Sequence, residues 1–191
     1  MASILLLDNY DSFTFNLLHY VEDFGQHSIE VFRNDQIEID MVERFDGIIL
    51  SPGPGIPSEA GNLLPIIEQY SKTKRIFGVC LGQQAIAESF GGALVNIDTV
   101  YHGVASKMIL QQPIHYIFEG IPETFEAGRY HSWVVNPDGL PNCLRVDAID
   151  ENGQIMALSH TEYDVCGVQF HPESILTPNG KQIIFNWLKR F

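Results

Sequence analysis

The stretch Gly78-Val79-Cys80-Leu81-Gly82 does most to limit what this chain can become. Arg75-Ile76-Phe77-Gly78-Val79 is short, apolar and rich in strand-formers. The residues that follow, Gln83 to Phe90, have helical character and stop at Gly91-Gly92. Cys80 therefore stands where a buried strand turns sharply into a helix. Gly-x-Cys-x-Gly is the cysteine version of the Gly-x-Ser-x-Gly nucleophile elbow. Such a turn strains the backbone of its central residue and leaves no room for a Cβ on either side. A thiol there projects from the carboxyl end of the strand at the positive end of the helix, which favours the thiolate. Taken alone, the motif leaves two readings open: a small cysteine packed into an α/β crossover, or a nucleophile.

Composition narrows the setting. A length of 191 residues with 45% hydrophobic and 18% charged residues suits one domain spanning 1–191 with a proper core. A net charge of -13 argues against nucleic acid or an anionic membrane as partner. No apolar run approaches the ~18 residues of a membrane span, and Met1-Ala2-Ser3 lacks a signal-peptide pattern. The three cysteines, Cys80, Cys143 and Cys166, are odd in number and show no metal-ligand spacing. A cytoplasmic, reduced protein with no metal site is the expectation.

Along the chain, Ile4–Leu7, Ser28–Phe32 and 46–50 are strand-like. They alternate with an amphipathic helix from Phe13 to Phe24, capped by Asp11 or Ser12, and a short helix from Ile37 to Arg44. This alternation predicts an α/β fold: an open, mostly parallel sheet flanked by helices, with ligands gathered at the carboxyl ends of its strands. The third strand runs into Ser51-Pro52-Gly53-Pro54-Gly55-Ile56-Pro57, a stiff loop rich in accessible backbone. Seen alone it is a turn. Facing the elbow, it could aim the Gly53 amide at an oxygen on which charge develops. A helix over 61–71 leads to the fourth strand. From Ala93 the pattern changes to short strands at 93–97, 105–110, 124–127, 143–149, 154–159 and 166–170, with a hairpin at Glu151-Asn152-Gly153. These predict an antiparallel extension of the sheet, and Thr177 or Asn179 starts a closing helix with Ile184, Leu188 and Phe191 in one stripe.

A cysteine nucleophile needs a base, and the base needs an orienting group. Of seven histidines, His171 stands out. It ends a strand and opens His171-Pro172-Glu173, where the proline forces extended backbone. Residues two apart then point the same way, so Glu173 can hold one ring nitrogen while the other faces Cys80.

Five motifs in order, Asp8-Asn9-Tyr10-Asp11-Ser12-Phe13-Thr14, Ser51 to Gly55, Gly78 to Gly82, Arg129-Tyr130-His131-Ser132 and Gln169 to Ser174, make the whole chain resemble the class I (triad) glutamine amidotransferases. The resemblance is to the small glutaminase subunits of anthranilate synthase and of aminodeoxychorismate synthase. It implies hydrolysis of L-glutamine, with ammonia passed to a chorismate-using synthase subunit, component I of either enzyme. It further implies Cys80 as nucleophile, His171 as proton shuttle and Glu173 as orienting group, with the Gly53 and Leu81 amides as oxyanion donors. Gly53, Pro54, Gly55, Gln84 and the Ser132-Trp133 backbone would hold glutamine. No cofactor is implied in this chain, and any magnesium would belong to the synthase. Anthranilate synthase is the preferred partner and aminodeoxychorismate synthase the alternative; a non-catalytic or redox-sensing cysteine module is the reading from another class. Two positions depart from the family pattern. Gln83 stands where histidine is common, which would alter local contacts near the partner face, and Val104 stands where lysine is frequent.

Overall fold

The apolar runs of the N-terminal half become one side of a nine-stranded sheet in the computed structural model, which describes residues 1–191. Strands β1 (Ser3–Asp8), β2 (Ser28–Arg33), β3 (Gly47–Leu50) and β4 (Arg75–Val79) pair in parallel in the order β2-β1-β3-β4. Next to β4 lies the last strand of the chain, β11 (Val165–Val168), also parallel. Every residue of β3 and β11 is buried, as sheets covered on both faces require. The edge strand β2, by contrast, has no buried residue.

Beyond β11 the sheet continues antiparallel through β10 (Ile155–His160), β9 (Leu144–Asp150), β6 (Val104–Leu110) and β7 (Thr124–Arg129). Glu151-Asn152-Gly153 turns β9 into β10, and Gly153 supplies the positive φ of 77° that the turn needs. Helices α1 (Thr14–Phe24) and α4 (Gly180–Leu188) cover one face. Helices α2 (Leu63–Tyr70) and α3 (Leu81–Ser89) cover the other.

Four expectations need correction. The stretch 37–44 forms a 3-10 helix at Ile39–Arg44, because so short a segment cannot propagate an α-helix between β2 and β3. Neither Asp11 nor Ser12 caps the backbone of α1. Asp11 accepts from Phe13 N–H at 2.7 Å, while Asp8 receives Tyr10 N–H and the Thr14 hydroxyl at 2.9 and 3.0 Å. Strand β5 (Leu94–Asn96) does not join the main sheet. It pairs with β8 (Trp133–Val135), a strand too short for its pattern to show, in a separate two-stranded ribbon. Finally, Asn179 stands at the N-cap of α4 as expected, without a side-chain bond, but Phe191 lies past the helix end instead of in its stripe, edge-on to Trp187 at 5.1 Å between ring centroids.

Candidate functional site

The elbow is as tight as its glycines require. Cys80 has φ 52° and ψ -102°, a conformation that costs a non-glycine residue on the order of 1–3 kcal/mol. Its N–H bonds Val168 O at 2.8 Å, and its carbonyl accepts from Gln84 N–H at 3.1 Å. A Cβ on Gly78 would lie 2.5 Å from the Gly82 carbonyl carbon, and one on Gly82 would lie 2.6 Å from Leu50 O. A Cβ on Gly167, across from Gly78, would meet Gly78 O at 2.8 Å. These three glycines let α3 settle against β3, β4 and β11, so that its first N–H groups, which lack intrahelical partners, come directly after Cys80. Gln83 is wholly buried against Gly167, so the departure there alters the core and not an exposed face.

His171 and Glu173 reach the same place from the other side. His171 N–H bonds Gly128 O at 2.9 Å, so β7 carries the segment that follows β11. Thr177 bridges the two: its hydroxyl donates to His171 O at 2.6 Å and accepts from Gly128 N–H at 3.0 Å. The His171 ring is boxed edge-on by Phe13 and Tyr130, with centroids at 5.7 and 4.8 Å. Its Nδ1 lies 2.6 Å from Glu173 Oε1, and both side chains are almost fully buried. Nε2 is buried without a regular hydrogen bond. Burial opposes an imidazolium here, but the Cys80 thiol and the Glu173 carboxylate together outweigh it and hold the His171 pKa well above its ordinary value. The other thiols lack such a setting. Burial pushes Cys166 well up, which keeps it protonated and inert.

The proline-glycine loop completes the arrangement. Asn9, at the end of β1, clamps it: Asn9 N–H donates to Ser51 Oγ and Asn9 Nδ2 to Ser51 O, both at 2.8 Å. A Cβ on Gly53 would meet Asn9 Cβ at 2.6 Å and Leu81 Cδ2 at 2.7 Å. The loop thus presses so closely against Asn9 and Leu81 that a side chain at 53 would collide. The Gly53 N–H makes no bond within the protein. The Gly53 amide, on the cavity that Cys80 also lines, and the Leu81 amide, in the first turn of α3, are thus both without an acceptor in the protein.

Two cavities meet at Cys80. One of about 240 Å³ is lined by Gly53, Pro54, Gly55, Cys80, Gln84, Tyr130, His131, Ser132 and Trp133. Every residue expected from the sequence to hold glutamine lines it except Leu81, which opens α3 behind Cys80, while His171 reaches Cys80 from a second side with Glu173 buried against its ring. There a cavity of about 430 Å³ runs past Tyr10, Phe13, His102, Tyr130 and His171 to the surface. A larger hollow of about 510 Å³ lies at the opposite end of the sheet, among Met1, Lys72, Lys74 and Arg75, and holds no cysteine or histidine.

Several contributors escaped the sequence. Gln169 takes Gln84 Nε2–H on its Oε1 at 3.1 Å and points its Nε2 at Cys80 Sγ, 3.5 Å away. Tyr130 and His131 form cavity wall, and their signal in the sequence is the run Arg129-Tyr130-His131-Ser132, next to Ser132 and Trp133. Burial and the adjacent Arg129 guanidinium push the His131 pKa down to about 3, so the folded protein holds it neutral. In the unfolded chain it protonates near pH 6.5. Stability present above that pH is lost as pH falls from about 6.5 toward 3, by at most about 1.4 kcal/mol per pH unit. Urea midpoints at pH 7 and pH 5 should fall further apart in the wild type than in His131→Asn. Equal drops in the two proteins would refute the buried neutral state.

With this geometry in place, comparison with known proteins gives the class. The glutamine amidotransferase class-I family model matches residues 5–191, and the chain belongs to that family. Among its relatives, anthranilate synthase component 2 of Azospirillum brasilense is 45% identical over 97% of this chain and 94% of that protein. The aminodeoxychorismate/anthranilate synthase component 2 of Bacillus subtilis is 44% identical over 98% of this chain and 96% of that protein. A solved structure of a glutamine amidotransferase from Thermotoga maritima agrees in fold, with a TM-score of 0.80 over 99% of this chain and 97% of that one at 13% identity. No helix here is long and apolar enough to cross a membrane.

Proposed function

We propose that this chain is the glutaminase subunit of a chorismate-using synthase, anthranilate synthase in the first instance. The observation that carries the reading is the line from Cys80 through His171 to Glu173, set beside the free Gly53 and Leu81 amides where two cavities meet. Glutamine lies in the smaller cavity, where Gln84 Oε1 takes no donor from the protein and is available to the substrate. The Cys80 thiolate attacks the side-chain amide carbon, and the oxygen gains charge against the two amides. The C–N bond breaks as the His171 imidazolium gives its proton to the leaving nitrogen, releasing ammonia and leaving a γ-glutamyl thioester. Water, deprotonated by His171, then attacks the thioester, frees the thiolate and gives glutamate. Glu173 keeps the imidazole oriented and supports its positive charge throughout. The chemistry calls for no cofactor in this chain; a magnesium requirement would fall on the synthase. A nucleophile that must stay a free thiol suits the reducing cytoplasm.

The aminodeoxychorismate reading keeps a specific observation behind it, since the Bacillus subtilis relative carries both names at almost the same identity. Recovery of the native complex, followed by assay with chorismate and glutamine, separates the two. Anthranilate as product is expected; aminodeoxychorismate alone would move the assignment, and neither product would overturn it.

A further inference from the structure

The wall of the smaller cavity formed by Ser132 and Trp133 hangs from buried polar groups that the hydrolysis does not use. Arg129, at the end of β7, is only 1% exposed. Its Nη1 pairs with Asp150 Oδ2 at 2.7 Å, Nη2 donates to Gln154 Oε1, and Tyr101 stacks its ring 3.5 Å from the guanidinium carbon. Asp150 is itself anchored by the β9–β10 turn, through Asn152 N–H at 2.9 Å and Gln154 N–H at 2.8 Å. The guanidinium cannot turn, and its Nε–H points at His131 Nε2 from 3.1 Å.

Arginine has donors and no acceptor. Nε2 of His131 must therefore offer its lone pair, which places the ring proton on Nδ1. That nitrogen is 3.0 Å from Trp133 O, and Gln84 Nε2–H donates to the same oxygen at 2.9 Å. Two donors fill both lone pairs of the carbonyl. The opposite tautomer would set N–H against N–H at Arg129 and a lone pair against the Trp133 carbonyl.

We propose that Arg129 is a positioning residue for glutamine: it locks His131 as the neutral Nδ1–H tautomer, whose donor orients the Trp133 carbonyl and hence the Ser132–Trp133 wall. The substrate in this statement rests on the proposed function; the tautomer does not. The charged and titratable groups that act on His131 are Arg129 and His171, both of which disfavour a second proton on it.

Nitrogen-15 NMR of the imidazoles tests the tautomer in the intact wild-type chain. His131 should show a protonated Nδ1 and a bare Nε2, unchanged from pH 5 to 8. Removing both buried charges together, in Arg129→Met/Asp150→Asn, should release the lock, so that protonated Nε2 appears. The glutamine KM should rise about tenfold while kcat changes much less, as expected for about one lost hydrogen bond in substrate positioning. His131→Leu should raise KM likewise, and His131→Asn, whose amide can replace the Nδ1 donor, should recover most of that loss. A wild-type ring protonated at Nε2, or a KM insensitive to His131→Leu, would overturn the proposal. A wild type with no glutaminase activity would count against the proposed function alone.

Discussion

Replacing Cys80 by serine is expected to lower glutamine hydrolysis by at least about 10⁴-fold, the scale on which loss of a triad nucleophile acts. Serine occupies the strained elbow with almost the same shape, so the fold and the bonds of residue 80 to Val168 and Gln84 should survive. What disappears is the sulfur nucleophile beside an imidazole biased toward its cationic form. Paired with its synthase, the variant should still make product when ammonium salts replace glutamine, because that route bypasses this chain's chemistry. Ammonia release and synthase turnover, measured on one preparation, separate lost catalysis from lost folding. Retained glutaminase turnover would show that another group attacks the amide.

His171→Ala should cost about as much, since the ring both balances the thiolate and protonates the departing nitrogen. It also has a pH signature. The raised His171 pKa means that imidazolium persists above the ordinary histidine range and is lost only as pH climbs through the shifted value. The alkaline limb of kcat/KM should therefore lie well above pH 6.5. Glu173→Gln removes one of the groups that raise the pKa, so that limb should move to lower pH, with a smaller loss of rate than His171→Ala. A limb that stays in place would detach Glu173 from the ring it touches at 2.6 Å.

How much of this could be read in advance follows from the range of the interactions concerned. The parallel half was legible because strands buried on both faces must be continuous apolar runs, and the elbow because two backbone collisions demand two glycines. His171 and Glu173 were visible as neighbours on an extended segment that a proline enforces. The supporting groups were not. Thr177 looked like a helix start, yet it ties His171 to β7; Asn9 holds a loop 42 residues away through bonds that no periodicity announces. Strand β8 is three residues long and exists only because β5 lies beside it. The Arg129–Asp150 pair joins two strands that are not neighbours in the sheet, so neither residue's local pattern points to the other. One signal was available: Arg129 and His131 are two apart in extended backbone and so share a side.

Cys80 itself is expected to form the covalent bond to glutamine. Rapid quenching of the complex during turnover, followed by mass spectrometry of its peptides, tests this most directly. A γ-glutamyl adduct that appears on the Cys80 peptide and decays as glutamate forms is the expected result. Turnover with no such adduct in the Cys80→Ser-sensitive reaction, or with one on Cys143 or Cys166, would contradict the account.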